Sequence, residues 1–118
     1  MKSLQEKVKD FYQKYGLESP VEHRVLDALS ELGEVAKEVL KMSDYGRKPL
    51  EYCDELKHEL GDLLYSVINI ANTFEIDLEE ALNLALDKYG KRLKKVRRVQ
   101  EASYESFPDG PELSATCR

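Results

Sequence analysis

Four stretches of this sequence repeat apolar residues at helical spacing, and each is bracketed by residues that start or stop a helix. That punctuation points to an all-α chain. The first amphipathic stretch covers about residues 2–15 and stops at Gly16. Ser19-Pro20-Val21-Glu22 then offers an N-cap, a proline at the first helical position and a capping-box glutamate. The second helix carries Val21, Val25, Leu29, Leu32, Val35, Ala36 and Val39 on one stripe. It should end near Met42, where Ser43-Asp44-Tyr45-Gly46 is a turn cluster. Pro49 is expected to open a third helix with the stripe Cys53, Leu56, Leu60, Leu63, Leu64, Val67, Ala71 and Phe74. Asp77-Leu78-Glu79-Glu80 announces a fourth, running to about Val99 with Gly90 inside it. Beyond Gln100 the period is lost, and Phe107-Pro108-Asp109-Gly110-Pro111 is turn chemistry. Residues 1–100 therefore read as a helical domain and 101–118 as a mobile C-terminal tail.

The chain has 118 residues, room for one domain. Helices this long in so short a chain leave apolar surface uncovered, so the four-helix bundle is expected to be completed by oligomerisation. A net charge of −5 argues against a nucleic-acid polymer as partner, which would call for a basic surface. No apolar run approaches the roughly 20 residues that span a bilayer, and the first residues lack a secretory signal's apolar core. Cys53 and Cys117 form neither a disulfide framework nor a metal spacing, which suits a reducing, cytoplasmic setting.

Two tetrapeptides carry the chemistry. Glu31-Leu32-Gly33-Glu34 and Glu59-Leu60-Gly61-Asp62 each place two carboxylates three residues apart, on one face and on the shoulder of the apolar stripe. If the two stripes pack antiparallel, the four acids converge. Mutual repulsion would raise their pKa values, and a divalent cation would relieve it. Oxygen-only donors suit Mg²⁺, Ca²⁺ or Mn²⁺, and Mg²⁺ commonly shares its shell with phosphates. Gly33 and Gly61 cost their helices about 1 kcal/mol each relative to alanine, a cost that close approach of another helix would offset. Against this, acid pairs at this spacing are common in a chain with 23 Asp and Glu.

The two motifs, with Leu63-Leu64 after the second, resemble the ExxE…ExxD signature of the MazG-like nucleotide pyrophosphohydrolases. Asn72-Thr-Phe-Glu-Ile-Asp77-Leu-Glu-Glu-Ala81-Leu and Lys88-Tyr-Gly-Lys91-Arg92 are similar to that family as well, so the likeness covers about residues 20–95. Ser30 stands where many members carry the first of two adjacent acids. The resemblance implies an all-α fold that assembles into homodimers or homotetramers. It implies Mg²⁺-dependent hydrolysis of a nucleoside triphosphate to the monophosphate and pyrophosphate, with Mn²⁺ as a substitute ion. By the same likeness Glu31, Glu34, Glu59 and Asp62 are the catalytic and metal-binding residues, one of the glutamates orients the water, and Lys88 and Arg92 bind the substrate's phosphates. Phosphoribosyl-ATP pyrophosphohydrolase is the related alternative.

Other readings compete. Lys88 and Arg92 also fit a cationic helix end that complements the helix dipole, together with Lys91, Lys94, Lys95, Arg97 and Arg98. Glu55-Leu-Lys-His58 has the ExxH form of di-iron bundles, which need a second copy that this chain lacks. Glu38 and Glu55, one turn from the motif acids, suit a supporting role or a solvated face. Asn69, Asn72 and Asn83 suit a base contact or interhelix hydrogen bonds equally. A non-catalytic helical dimerisation module would leave the acids merely solvated.

Overall fold

The computed structural model describes residues 2–104. They form four helices, α1 (Lys2–Lys14), α2 (Val21–Met42), α3 (Glu55–Thr73) and α4 (Leu78–Tyr104), with no strand among the described residues. The expected all-α architecture is therefore the observed one. Two compact units divide the chain, one up to Ala81 and the other from Leu82 onward. In the first unit α3 is the centre, with α2 as its main neighbour and α1 on it as well.

Several ends fall where the punctuation put them. Gly16 follows α1 in the left-handed region at φ 62°, which costs a glycine little. Asp77 accepts from the backbone N–H of Glu79 at 3.0 Å and opens α4 as an N-cap. At the start of α2, Pro20 rather than Ser19 takes the N-cap place, and no side chain caps it. The expected capping box is thus not formed.

The third helix starts later than Pro49. Residues 49–53 are not helical, and Cys53 stands exposed before the helix instead of on its stripe. Tertiary hydrogen bonds explain the difference. Glu51 donates its N–H to the Met42 carbonyl at 2.9 Å, and Cys53 donates its own to the Met42 sulfur at 3.3 Å. The segment is held against the end of α2, and α3 begins once those contacts end. At the other end of the chain α4 continues through Tyr104, past the expected stop near Val99. The rest of the proposed tail, including Cys117, lies outside the described residues.

Burial concentrates in the second half of α3, at Ser66, Ile68, Asn69 and Ala71. Gln5 of α1 ties that half to the start of α4. Its side-chain amide donates to Asn72 Oδ1 at 3.1 Å and to the Ile76 carbonyl at 2.7 Å, and its oxygen accepts from the Leu78 N–H at 2.9 Å. Asn72 returns a bond to the Gln5 carbonyl, and Asn69 donates to the Tyr65 carbonyl within its own helix. Phe11 meets Tyr65 edge-on at 6.1 Å. Of the alternatives open to Asn69 and Asn72, the structure realises hydrogen bonding within the fold.

Only part of the expected apolar stripe of α2 is covered. Val25, Leu29 and Leu32 are exposed, whereas Glu31, Glu34, Val35, Glu38 and Val39 are half-buried. A side chain added at Gly33 or Gly61 would meet no atom within 4 Å, so the expected close helix approach is not seen among the described residues.

Candidate metal centre

Each acid pair sits on one face of its helix because residues three apart are separated by less than one turn. The helices α2 and α3 run antiparallel: Cys53, before α3, touches the end of α2, while Asp62, further along α3, meets Glu31 in the middle of α2. One carboxylate oxygen from each of Glu31, Glu59 and Asp62 lies within 4.8 Å of the other two. Glu31 and Glu59 are half-buried and Asp62 is exposed. Glu34 is half-buried and lies outside this set of three oxygens, yet its charge still acts on Glu31.

The electrostatics follow from the crowding. Partial burial, and then the charges of Asp62, Glu59, Glu34 and Asp27, hold the Glu31 carboxyl above its ordinary value. Such a group favours either a proton or a cation. The donors are all hard oxygens from rigid helices, a set that fits Mg²⁺, Mn²⁺ or Ca²⁺ and not a thiolate-seeking metal. A metal ion can be held here.

The two basic residues stand on α4, in the second unit. They are one turn apart and flank the Tyr89 ring, Lys88 Nζ at 5.1 Å and Arg92 Cζ at 6.0 Å from its centroid. Among the described residues neither pairs with a carboxylate. His23 and His58 are exposed, and nothing in the unit assembles a di-iron ligand set.

One turn beyond the acids, towards the α2–α3 connection, lies a cavity of about 420 Å³. Glu38, Met42, Tyr52, Cys53 and Glu55 are among its lining residues. The thiol of Cys53 donates to Glu55, and this bond is the chief reason the Glu55 carboxyl titrates below its ordinary value. The cavity escapes a sequence reading that keeps Cys53 on a helix, because it exists only where residues 49–54 leave helical geometry. Pro49 beside the turn cluster is the one local hint of it.

An antiparallel helical pair with a convergent carboxylate cluster defines a class: all-α proteins whose facing acids can hold a metal ion. Comparison with known proteins narrows the class. The model of the MazG nucleotide pyrophosphohydrolase domain matches residues 22–97, and the chain belongs to that family. Both motifs and both basic positions lie within the match. The uncharacterised protein YpjD of Bacillus subtilis is 37% identical over 67 residues, which are 54% of this chain and 59% of that protein. The nucleoside triphosphate pyrophosphohydrolase/pyrophosphatase MazG of Thermotoga maritima is 40% identical over 47 residues, 40% of this chain and 18% of that one. The chain therefore spans little more than half of the first relative and under a fifth of the second. Among solved structures, that of the Bacillus-conserved MazG protein, a nucleotide pyrophosphohydrolase, superposes with a TM-score of 0.63 at 29% identity, covering 75% of this chain and 86% of that one. The crystal structure of Bacillus subtilis YpjD gives the same TM-score and identity and is covered to 92%. Enzymes of this family generally depend on a metal.

Proposed function

We propose that the protein is a Mg²⁺-dependent nucleoside triphosphate pyrophosphohydrolase that yields the monophosphate and pyrophosphate. The observation that carries this reading is the cluster of Glu31, Glu59 and Asp62, three carboxylates brought within 4.8 Å by two helices. With Glu34 on the same face as Glu31, they hold the cation. When bound, that ion would offset the negative charge of the substrate's phosphates and of the transition state. A glutamate of this group accepts a hydrogen bond from the attacking water and aims it at the α-phosphorus. Lys88 and Arg92 take charge on the polyphosphate, and their shared face on α4 suits two contacts to one chain of phosphates.

The same reading includes assembly. Leu26, Leu29, Leu32 and Leu40 stand exposed along α2. An apolar strip of this length favours burial against a second copy, and we expect a homodimer or homotetramer.

Hydrolysis of a nucleotide panel with Mg²⁺ in ¹⁸O-labelled water tests the chemistry. Attack at the α-phosphorus puts the label in the monophosphate. Label in pyrophosphate, or orthophosphate as first product, would overturn the assignment. Cleavage of phosphoribosyl-ATP with no action on nucleoside triphosphates would move the chain to the related alternative.

A further inference from the structure

We propose that α4 is a docking helix whose partner is an anionic lipid bilayer: it lies flat on the surface, with an apolar row in the acyl boundary and its cations within reach of the headgroup charge. The inference draws on α4 alone and is independent of the chemistry read from the acid cluster.

Charge is the first observation. Of the eleven residues from Lys88 to Arg98, seven are Lys or Arg and none is Asp or Glu, in a chain whose net charge is −5. The proposed reaction uses two of them, Lys88 and Arg92. All seven are exposed, and among the described residues only Arg97 is paired with a carboxylate, Glu101 at 3.2 Å. Complementing the helix dipole, the competing role, needs cations in the last turn. The helix runs on to Tyr104, and its last turn has none.

The apolar side is the second observation. At about 100° per residue, Leu82, Leu86, Tyr89, Leu93 and Val96 fall within about 80° of one another around the helix. Each of them is at least half exposed. Lys91, Lys94, Lys95 and Arg98 fall on the opposite side, with Arg92 and Arg97 at the two borders of the row. This is a basic amphipathic helix, the form that lies in a lipid interface. It does not cross, because no described helix is long and apolar enough to span a membrane.

Together the two sides choose the partner. A nucleic-acid backbone would engage the cations and leave the apolar row in water. A second α4 would cover the row but set Arg92 and Arg97 of each helix against like charges. An anionic bilayer satisfies both sides. Its acyl boundary takes the leucines and Val96, Tyr89 sits at headgroup depth, and Arg92 and Arg97 reach along the row to the lipid phosphates. The cations on the far side stand about one helix width, roughly 10 Å, from the surface, close to the Debye length at physiological salt.

The test is co-sedimentation of the full chain with vesicles of phosphatidylcholine alone and of phosphatidylcholine with about one third phosphatidylglycerol. Wild type should bind the anionic vesicles at least about tenfold more tightly and lose that preference as salt is raised. Lys94→Glu with Lys95→Glu should weaken the binding about a hundredfold, and the milder Lys94→Gln with Lys95→Gln about tenfold. Leu93→Asp should weaken binding to the anionic vesicles about tenfold or more, with the helix content unchanged by circular dichroism. Equal binding to the two vesicles, no binding to either, or wild-type affinity in Lys94→Glu with Lys95→Glu would overturn the inference. So would tighter binding to a thymidine oligonucleotide that Leu93→Asp leaves intact, which gives α4 to nucleic acid. An oligomer that Leu93→Asp splits in lipid-free light scattering would give the row to a second copy and overturn it as well.

Discussion

The two halves of α3 are built to different ends. From Tyr65 to Thr73 the helix buries Ser66, Ile68, Asn69 and Ala71, and Asn72 is tied to Gln5 in both directions. From Glu55 to Leu64 nothing is fully buried, Leu60 and Leu64 are exposed, and two carboxylates face a third across the seam with α2. One half supplies contacts that hold the unit together. The other gathers like charges, which oppose folding until a cation joins them. Stability and chemistry are therefore separated along a single helix, and substitutions should respect the boundary.

The largest effect is expected in the acidic half. Glu59→Gln keeps the volume and removes the charge, so Mg²⁺-dependent turnover should fall by about a thousandfold or more, as for residues that act as a unit. Circular dichroism should remain helical. Full activity in this variant would remove the cluster from the mechanism, and a loss of helix would show that the acidic half carries stability after all. In the buried half the order reverses. Ile68, 2% exposed, should cost about 2–5 kcal/mol on truncation to alanine, measured by urea unfolding. What remains folded should keep its metal affinity. A cost under about 1 kcal/mol would show that the buried half is not the anchor.

How far the sequence displayed this division can be judged residue by residue. The stops at Gly16 and after Met42 and the Asp77 cap follow from local conformational preference, so they were legible. The acid pairs were legible too, because spacing alone sets which residues share a helix face. Pro49 misled, since the hydrogen bonds from Glu51 and Cys53 to Met42 join residues nine and eleven apart, beyond any local preference. The facing of α2 was not legible either. Periodicity shows that Leu29 and Leu32 belong out of water, but not that they stand exposed among the described residues. Gln5 gave no signal, because a buried amide is recognised only by its partners.

A smaller contrast separates the two motif glycines. Gly33 has Leu26, Leu29, Ala36 and Leu40 at −7, −4, +3 and +7, all exposed, so it lies within the apolar strip proposed to meet a second copy. Gly61 instead borders a polar hollow lined by Asp54, Lys57, His58 and Asp62. Gly61→Ala should stabilise the chain by about 1 kcal/mol through helix propensity alone. Gly33→Ala should gain less, and should weaken self-association in light scattering if a second helix packs closely there. Equal gains at both positions, with association unchanged, would remove Gly33 from any interface.

The smallest effect concerns the proton that stands in for the cation at Glu31. Its carboxyl is held above the ordinary value by partial burial and by Asp62, Glu59, Glu34 and Asp27, so the folded chain binds that proton more tightly than the unfolded chain does. A group shifted in this sense contributes stability that is fully present below its unfolded pKa and is lost as pH rises through the folded one. In metal-free wild type the contribution of this one group should therefore fall as pH rises from that acid range towards neutrality, against the opposite trend of Glu55, whose carboxyl is held below its ordinary value. Glu31→Gln carries no charge at any pH and lacks this loss. Its metal-free unfolding midpoint at pH 7 should exceed that of wild type, and the difference should shrink as the pH is lowered towards 4. Adding Mg²⁺ should invert the order, because wild type gains a bound ion by mass action and the variant gains little. A Glu31→Gln chain that is less stable than wild type at pH 7 without metal would show that this carboxylate makes a favourable contact in the folded state, and that the repulsion in the acidic half of α3 is not the dominant force there.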